Sequence, residues 1–336
     1  MAYWLPVIWA GLIALAVLAY VLLDGFDLGV GILFALERGH EDRDVMVNTI
    51  APTWDGNETW LVLGGGGLFA VFPMAYAIIM PAFYPLIIAM LLALVFRGVA
   101  FEFRFRAARP ASRAWWDRAF LGGSAVAALC QGMVLGGLLQ GVRVAGGQYA
   151  GGWFDWLSGF SLLCGVAVVL GYALLGATWL VWRTEGKLQR AAARHARRLG
   201  VAVLGLIVVV SLWTPLLNPA FAARWFGFPG IVLASPVPIL LAVAAFGFWR
   251  GLARQTDALP FLCVVAWFVL CYVGLGISLW PLMVPPGVSI WQAAAPPSSQ
   301  LFLLVGAVVL IPVILAYTGF AYWVFRGKVR PGAHYH

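Results

Sequence analysis

Two carboxylates stand three residues apart in an apolar stretch near the N-terminus. Asp24 and Asp27 occur in YVLLDGFDLGVGILF, the end of a hydrophobic run that begins near Trp4. In a helix this spacing places both acids on one face, and Gly25 and Gly29 form a small-residue pair on roughly the opposite face. An ionisable side chain in hydrocarbon is unfavourable unless it is paired or hydrated, so the acids are candidates for a proton or cation path. The alternative is a hydrogen-bonded carboxylate pair that only fixes helix packing.

A second acidic group lies in APTWDGNETW, residues 51–60. Asp55 and Glu58 are three residues apart, a spacing that fits an N-cap residue and its capping-box partner at the start of a helix. Trp54 is typical of a membrane interface, and Asn57 lies between the acids. We take Trp54 and Asn57 as structural neighbours of an anion site. Helix capping and proton uptake both remain open for this group at this point.

One basic residue, Arg97 in ALVFRGVAFEFRFR, is predicted to lie inside the membrane, and all other Lys and Arg residues are assigned to connections or the tail. A guanidinium cannot be neutralised at accessible pH, so Arg97 needs an anionic partner. Asp24, Asp27 and Glu102 are candidates within the chain. A propionate or a lipid phosphate supplied by a partner is a further candidate. A purely structural ion pair would explain Arg97 equally well.

Ligands for a metal or a haem are scarce in the predicted membrane segments. The histidines are His40, His195, His334 and His336, all in connections or in the C-terminal tail. Imidazole is the usual ligand of haem and copper in membrane oxidases. The four cysteines show no CxxC spacing and are expected to be small buried hydrophobic residues. We therefore expect no metal site, and any haem of a redox complex would be carried by another chain.

Membrane-spanning helices must position these side chains. The 336 residues are 63% hydrophobic and only 10% charged, with a mean hydropathy of +0.94, which excludes a soluble globular domain. The predicted fold is an all-α integral membrane protein in one polytopic domain, residues 1–336. It comprises a four-helix half at roughly 1–145, a second four-helix half at 155–282 and a ninth, peripheral helix at 300–326. The nine predicted spans are roughly 5–36, 56–79, 81–103, 119–141, 157–182, 199–221, 231–249, 259–281 and 300–325.

The basic residues predict the orientation of the chain. They are concentrated in the connections after spans three, five and seven and in the tail, whereas the other connections hold only Arg143 and Arg224. The positive-inside rule therefore places the N-terminus outside and the C-terminus in the cytoplasm. The first segment lacks a basic n-region and a cleavage site, so it is expected to be a permanent span. The net charge of +8 follows this topology and does not indicate a nucleic-acid partner.

Two motifs together, DGFDLGVG at 24–31 and APTWDGNETW at 51–60, resemble the N-terminal signature of subunit II of cytochrome bd-type quinol oxidases. The resemblance extends through FRGVAFEFR at 96–104 and GGLLQGV at 136–142. For the later half of the chain, the resemblance rests on hydropathy more than on motifs. In its shorter length the chain resembles the cyanide-insensitive branch of that family.

The resemblance implies a terminal oxidase of the bacterial cytoplasmic (inner) membrane that oxidises ubiquinol or menaquinol and reduces O₂ to water. It implies that subunit I carries the haems, two of type b and one of type d, or type b only in some members of that branch. This chain would be the haem-free partner. Asp55 is implicated in proton uptake from the cytoplasm, with less weight on Glu58, and Asp24 and Asp27 would carry or stabilise the protons. A small single-helix subunit, a structural quinone and phospholipids are further candidate partners.

Two other function classes compete with this interpretation. A standalone transporter or cation channel would use the same acids to bind its coupling ion. Against it, the acids are confined to the first third of the chain, and no pair of Gly- or Pro-broken helices recurs in corresponding halves. A structural scaffold would use the buried acids only as packing devices.

Overall fold

The computed structural model describes residues 3–37, 39–330 and 332. These residues are mostly helical, and the prediction of an all-α integral membrane protein is confirmed. Within the described ranges, eight helical segments are long and apolar enough to cross a membrane. Helices α1 to α14 are, in chain order, Trp4–Leu33, His40–Asn48, Trp54–Val71, Pro73–Ala82, Tyr84–Arg106, Pro110–Gln140, Gly159–Arg183, Gly186–Leu217, Pro219–Phe226, Gly230–Ala234, Pro236–Ala253, Leu259–Leu279, Ile290–Ala293 and Pro297–Val324.

The eight candidate spans are α1, α5, α6, α7, α8, α10 together with α11, α12 and α14. Two of them begin well before the predicted spans. Helix α6 begins at Pro110 and α8 at Gly186, whereas the apolar windows begin at 119 and 199. Both helices therefore start with a polar, arginine-bearing section that hydropathy alone assigns to a connection.

The second predicted span, 56–79, is not one continuous helix. The structure forms α3 and α4 instead, with a break at Phe72, whose φ and ψ are −124° and 60°. Pro73 causes the break because proline lacks an N–H group and disfavours helical geometry in the preceding residue. The carbonyl oxygen of Val71, at the end of α3, accepts a hydrogen bond from the N–H of Ala295, 2.7 Å away.

Ionic contacts join the arginine-rich connections at one end of the helix bundle. Lys187 lies 3.4 Å from Asp42, and Arg330 lies 3.5 Å from Glu185. We call this the basic end, and it contains the connections after α1, α5, α7 and α11 and the residues after α14. Helix α1 ends there and α3 begins there.

Two short antiparallel hairpins lie at the opposite end. Strands β1 (Val144–Ala145) and β2 (Gln148–Tyr149) form one, and β3 (Leu282–Val284) and β4 (Val288–Ser289) form the other. The hairpins are linked by the hydrogen bond from the N–H of residue 142 to the carbonyl oxygen of residue 285, at 2.9 Å. They join α6 to α7 and α12 to α13, so they connect the ends of helices from both predicted halves.

Helix α1 lies at the centre of the fold and packs against α3, α6 and α7. Its contact with α7 depends on two glycines: a Cβ atom at Gly29 would overlap the carbonyl oxygen of Tyr172, and one at Gly176 would overlap the backbone of Gly29. Helices α6 and α7 also pack closely, so the two predicted halves share an extensive interface. Helix α14 packs mainly against α1 and α3 and leaves most of its side chains exposed.

Candidate functional site

Arg97 is the centre of a buried ionic cluster between α1, α3 and α5. Its guanidinium is 0% exposed, and Nη2 lies 3.3 Å from Oδ1 of Asp24 and 4.0 Å from Oδ2 of Asp27. Nη1 donates a hydrogen bond to Oε2 of Glu58 at 3.2 Å. The guanidinium carbon also lies 5.2 Å from the centre of the Trp54 ring, within the range of a cation–π contact. The structure thus joins the two acidic motifs through one base.

Asn57 bridges this cluster to the peripheral helix α14. Its side-chain N–H donates to Oδ2 of Asp27 at 2.7 Å. Its side-chain oxygen accepts a hydrogen bond from the hydroxyl of Tyr322 at 2.9 Å. Sequence reasoning missed Tyr322, because one tyrosine near the end of an apolar helix gives no signal of its own.

A second chain of hydrogen bonds approaches from α6 and α7. The hydroxyl of Tyr172 donates to Oε1 of Gln131 at 2.7 Å, and Nε2 of Gln131 donates to the hydroxyl of Tyr20 at 2.8 Å. Tyr20 precedes Asp24 by four residues and therefore shares its helix face. None of these three residues was predicted as part of a site. The polar Gln131 inside an otherwise apolar span was the signal that could have indicated one.

Exposure falls along the acids from the helix end to the interior. Asp55, in the first turn of α3, is exposed at the basic end, and the side chain of Glu58 is 28% exposed. Asp24 and Asp27 are both 0% exposed. A helix of this length rises about 1.5 Å per residue, so Asp24 lies roughly 14 Å from the end of α1. The acids therefore form a series from the surface toward the interior.

The capping-box interpretation of Asp55 and Glu58 is wrong. The residue before the first turn of α3 is Thr53, and no side chain caps that helix N-terminus. Asp55 instead lies within the first turn, where a negative charge interacts favourably with the helix dipole. Glu58 is directed at Arg97 because the guanidinium offers it a charged donor in an otherwise apolar environment.

Of the three acids considered as partners of Arg97, the structure brings Asp24 and Asp27 to the guanidinium but not Glu102. Glu102 is exposed on α5 and does not take part in the cluster. Five residues correspond to a rotation of about 140° on an α-helix, so the two side chains point to different sides of α5. Arg97 finds its partners on α1 and α3 instead.

Several polar atoms of the cluster lack hydrogen bonds. Both carboxylate oxygens of Asp24 and Oδ1 of Asp27 have no hydrogen-bond partner among the described residues, and the same is true of Nε and Nη2 of Arg97. A buried carboxylate without donors is unfavourable as a charged group, whereas a protonated carboxyl supplies a donor of its own. The geometry therefore suits groups that bind and release protons.

Another ionic network, which sequence reasoning missed, lies nearer the basic end. Arg104 is only 1% exposed, and it contacts Oδ1 of Asp117 at 2.5 Å and Oδ1 of Asp44 at 2.6 Å. The sequence placed Arg104 in a connection, but its seven-residue spacing from Arg97 brings both to one face of α5. Arg113 also contacts Asp44. That spacing was the signal that could have indicated a second buried guanidinium.

Arg43 extends this network to the end of α1. Its Nη1 lies 2.7 Å from Oδ2 of Asp117. Its other guanidinium nitrogens donate to the carbonyl oxygens of Phe34 and Glu37, both at 2.8 Å. These carbonyls have no partner within the helix, so Arg43 caps the C-terminal end of α1.

Metal-binding residues are sparse in the described ranges. These ranges contain no group of three or more His, Cys, Asp or Glu side chains that could hold a metal ion. His195 lies 3.4 Å from Glu37 at the basic end. The cysteines are free thiols, and His334 and His336 lie outside the described residues.

Comparison with known proteins agrees with this architecture. Residues 5–325 match the family model described as cytochrome bd terminal oxidase subunit II. Subunit 2 of the cytochrome bd-I ubiquinol oxidase of Escherichia coli (strain K12) is 32% identical, over 96% of this chain and 94% of its own length. Cytochrome bd ubiquinol oxidase subunit 2 of Bacillus subtilis (strain 168) is 29% identical over 96% of both chains.

A solved structure shares the fold. It is the bd oxidase from Geobacillus thermodenitrificans, one chain of which matches with a TM-score of 0.74 and 15% identity, covering 96% of this chain and 98% of that chain. The resemblance to subunit II of bd-type oxidases is thus confirmed, and the multi-pass membrane architecture agrees with it. The chain belongs to the cytochrome bd terminal oxidase subunit II family and is part of an oxidoreductase complex.

Proposed function

We propose that this chain collects protons at the cytoplasmic face for a complex that oxidises quinol and reduces O₂ to water. The observation that carries the proposal is the graded series of acids on α3 and α1. Asp55 is exposed, Glu58 is partly exposed, and Asp24 and Asp27 are fully buried. Buried ionisable groups in a membrane protein are expected to mark proton or ion paths.

The side chains have distinct roles in this proposal. Asp55 exchanges protons with water, and Glu58 relays them toward Asp24 and Asp27. Arg97 makes the carboxylate forms tolerable in a medium of low dielectric constant, because it lies 3.2 Å from Glu58 and 3.3 Å from Asp24. Reduction of O₂ to water consumes protons, so the complex needs such a supply.

The same proposal includes an orientation. Arginine and lysine residues concentrate at the basic end, which supports a cytoplasmic location of that end in the inner membrane of a bacterium. The acids then open toward the cytoplasm. The N-terminus lies outside and the C-terminus inside.

We further propose that haems b and d, or b only, reside in a partner subunit I that packs along α3. Membership of the subunit II family implies a partner oxidase subunit. Val62 on α3 is 72% exposed, and a Cβ atom at Gly65 or Gly66 would meet nothing within 4 Å in this chain. A partner helix could therefore approach α3 closely, beside Asp55. A structural quinone, phospholipids and a small single-helix subunit stay predictions.

The proposal is tested by Asp55→Asn in the assembled complex. An amide cannot take up and release a proton near neutral pH, so we expect quinol oxidase turnover to fall at least about tenfold, as is typical when a proton-transfer group is lost. Oxygen consumption with quinol and charge separation in liposomes measure the effect. The absorption spectrum of the haems checks that the partner subunit is present and intact.

Glu102→Gln is the matched control. Glu102 is an exposed acid near the same end but lies outside the cluster, so this variant should keep its turnover. If Asp55→Asn retains full turnover and charge separation, Asp55 is not the proton entry. If the purified chain carries no haem-bearing partner and exchanges ions in liposomes, the transporter interpretation replaces the oxidase one.

A further inference from the structure

The fully buried part of the cluster contains two acids and only one base. Asp24, Asp27 and Arg97 are each 0% exposed, and Nη2 of Arg97 lies within 4.0 Å of both carboxyl groups. If both acids were ionised, this group would carry one uncompensated negative charge where water is excluded. One bound proton makes the group neutral. We propose that Asp24 and Asp27 together hold one proton in the resting complex and share Arg97 as the counter-ion of the remaining carboxylate.

Other titratable side chains around the pair do not alter this count. Glu58 on α3 also contacts Arg97, but its side chain is 28% exposed, so water stabilises its charge. Asp55 is exposed at the helix end. The groups that face the pair from other helices are the phenols of Tyr172 on α7 and Tyr322 on α14, and Tyr20 precedes it on α1. A phenol is neutral in its ordinary state and contributes no charge.

The hydrogen bonds around the pair leave carboxyl oxygens free to carry a proton. Oδ2 of Asp27 accepts the N–H of Asn57 at 2.7 Å, whereas Oδ1 of Asp27 and both oxygens of Asp24 lack a hydrogen-bond partner among the described residues. Oδ1 of Asp24 has an ion-pair contact with Nη2 of Arg97 at 3.3 Å. An O–H group on either acid would supply a donor at these oxygens. The two acids interact through the same guanidinium nitrogen, so the proton belongs to the pair and not to one residue.

This shared proton extends the proposed function. Only its use as a proton supply rests on that function. A proton already present in the interior can be passed on as soon as the reaction demands it and then replaced from Glu58 and Asp55. The charge count itself requires no oxidase activity. It is therefore testable by a measurement that is independent of turnover.

The test is infrared spectroscopy of the purified complex, in which a protonated carboxyl group gives a C=O band that shifts in D₂O. We expect difference spectra to show that Asp24→Asn and Asp27→Asn each remove the same single-carboxyl band completely. The reason is that the one acid left behind ionises next to Arg97. Arg97→Gln should increase the band about twofold, because neither acid then has a counter-ion.

Conservative variants keep the test decisive if an asparagine variant does not assemble. Asp24→Glu and Asp27→Glu preserve the charge count, so the band should remain, at a shifted frequency. Asp117→Asn is a matched control: Asp117 is also a buried acid, but Arg104 and Arg43 both contact it, so its replacement should leave the band unchanged. Glu58→Gln should also leave the band unchanged.

Two results would overturn the proposal. One is a protonated-carboxyl band that persists in either asparagine variant, which would mean that Glu58 neutralises Arg97 and that the remaining acid keeps a proton of its own. The other is the loss of the band in a glutamate variant that assembles. Failure of the wider proton-uptake function would instead appear as unchanged turnover in Asp55→Asn, with the infrared result unaffected.

Discussion

Arg97 and Arg104 are buried guanidinium groups on one face of α5, yet their surroundings are balanced in opposite ways. Arg97 is the counter-ion of two fully buried acids, Asp24 and Asp27. In the neighbouring network, Asp117 receives two guanidinium groups, from Arg104 and Arg43. The consequences of burial therefore differ. An acid that is held by two guanidinium groups forms a structural ion pair, whereas acids that outnumber their base remain able to bind protons.

The ion pairs of Asp44 predict how the stability of the folded chain changes at low pH. Burial raises the pKa of Asp44, but hydrogen bonds and charge from Arg113 and Arg104 outweigh it, so the pKa lies below its ordinary value. The carboxylate form therefore stabilises the folded chain at neutral pH, and this stabilisation is lost as the pH falls through the lowered pKa. Asp44→Asn should cost about 1–2 kcal/mol at neutral pH, because Arg104 loses a charged partner.

Melting of the purified complex across a pH series measures this effect. The difference in melting temperature between wild type and Asp44→Asn should be largest near neutral pH and should vanish well below about pH 4, the ordinary pKa of an aspartate. Glu41→Gln is a suitable control, because Glu41 is an exposed acid on the same helix. A difference that persists unchanged at the lowest pH would show that the charge of Asp44 is not responsible.

At the scale of helices, the sequence predicted the structure correctly where the length of an apolar segment determines the helix. Helix α1 is a single helix of 30 residues, as the long apolar run predicted, and Gly25 and Gly29 face another helix as expected. Hydropathy could not reveal the break before Pro73, because α3 and α4 are both apolar. It also could not assign Glu58 to Arg97, since 39 residues separate them and only the tertiary fold brings the start of α3, where Trp54 stacks on Phe101, to α5.

The contact between α1 and α7 gives a prediction about Gly29. A methyl group there would overlap the carbonyl oxygen of Tyr172, which belongs to the backbone and cannot move aside. Gly29→Ala should therefore destabilise the chain by about 1–3 kcal/mol, the usual effect of overpacking, in spite of the better helix propensity of alanine. The yield and melting temperature of the assembled complex measure the loss.

Gly11→Ala provides the comparison on the same helix. Gly11 is exposed, and a methyl group added there would meet no atom of the described residues within 4 Å, so alanine should be neutral or slightly stabilising. Equal effects of the two substitutions would argue against the close approach of α1 and α7. A normal complex with Gly29→Ala would argue against it as well.

For the whole molecule, the residues after α14 tie the last helix to the second half of the chain. The N–H of Val329 donates to the carbonyl oxygen of Arg183 at 2.8 Å, and Lys328 lies 2.8 Å from Asp257. Arg183 in turn donates to the carbonyl oxygen of Phe325. Since α14 has few contacts with the other helices, these contacts and the hydrogen bond from Tyr322 to Asn57 hold its basic end in place.

Removal of the tail should loosen that end of α14. A chain truncated after residue 325 should exchange its backbone hydrogens several-fold faster at residues 317–324, because local opening is no longer opposed by the tail. Hydrogen exchange followed by mass spectrometry measures the rate. The opposite end serves as an internal reference, since Trp9 donates to the carbonyl oxygen of Gln300 at 3.0 Å and is untouched by the truncation. Unchanged exchange at residues 317–324 would exclude the tail as the anchor.

Helix α3 and the segment around α14 are joined at both ends, by Asn57 with Tyr322 and by Val71 with Ala295. One inserted residue turns a helix by about 100°, so an insertion in either helix would separate at least one of these pairs. The number of residues from Asn57 to Val71 and the number from Ala295 to Tyr322 are therefore constrained together during evolution. Homologous chains of different size should add or lose residues in the hairpins and in the segment of α9 and α10, and should keep both spacings.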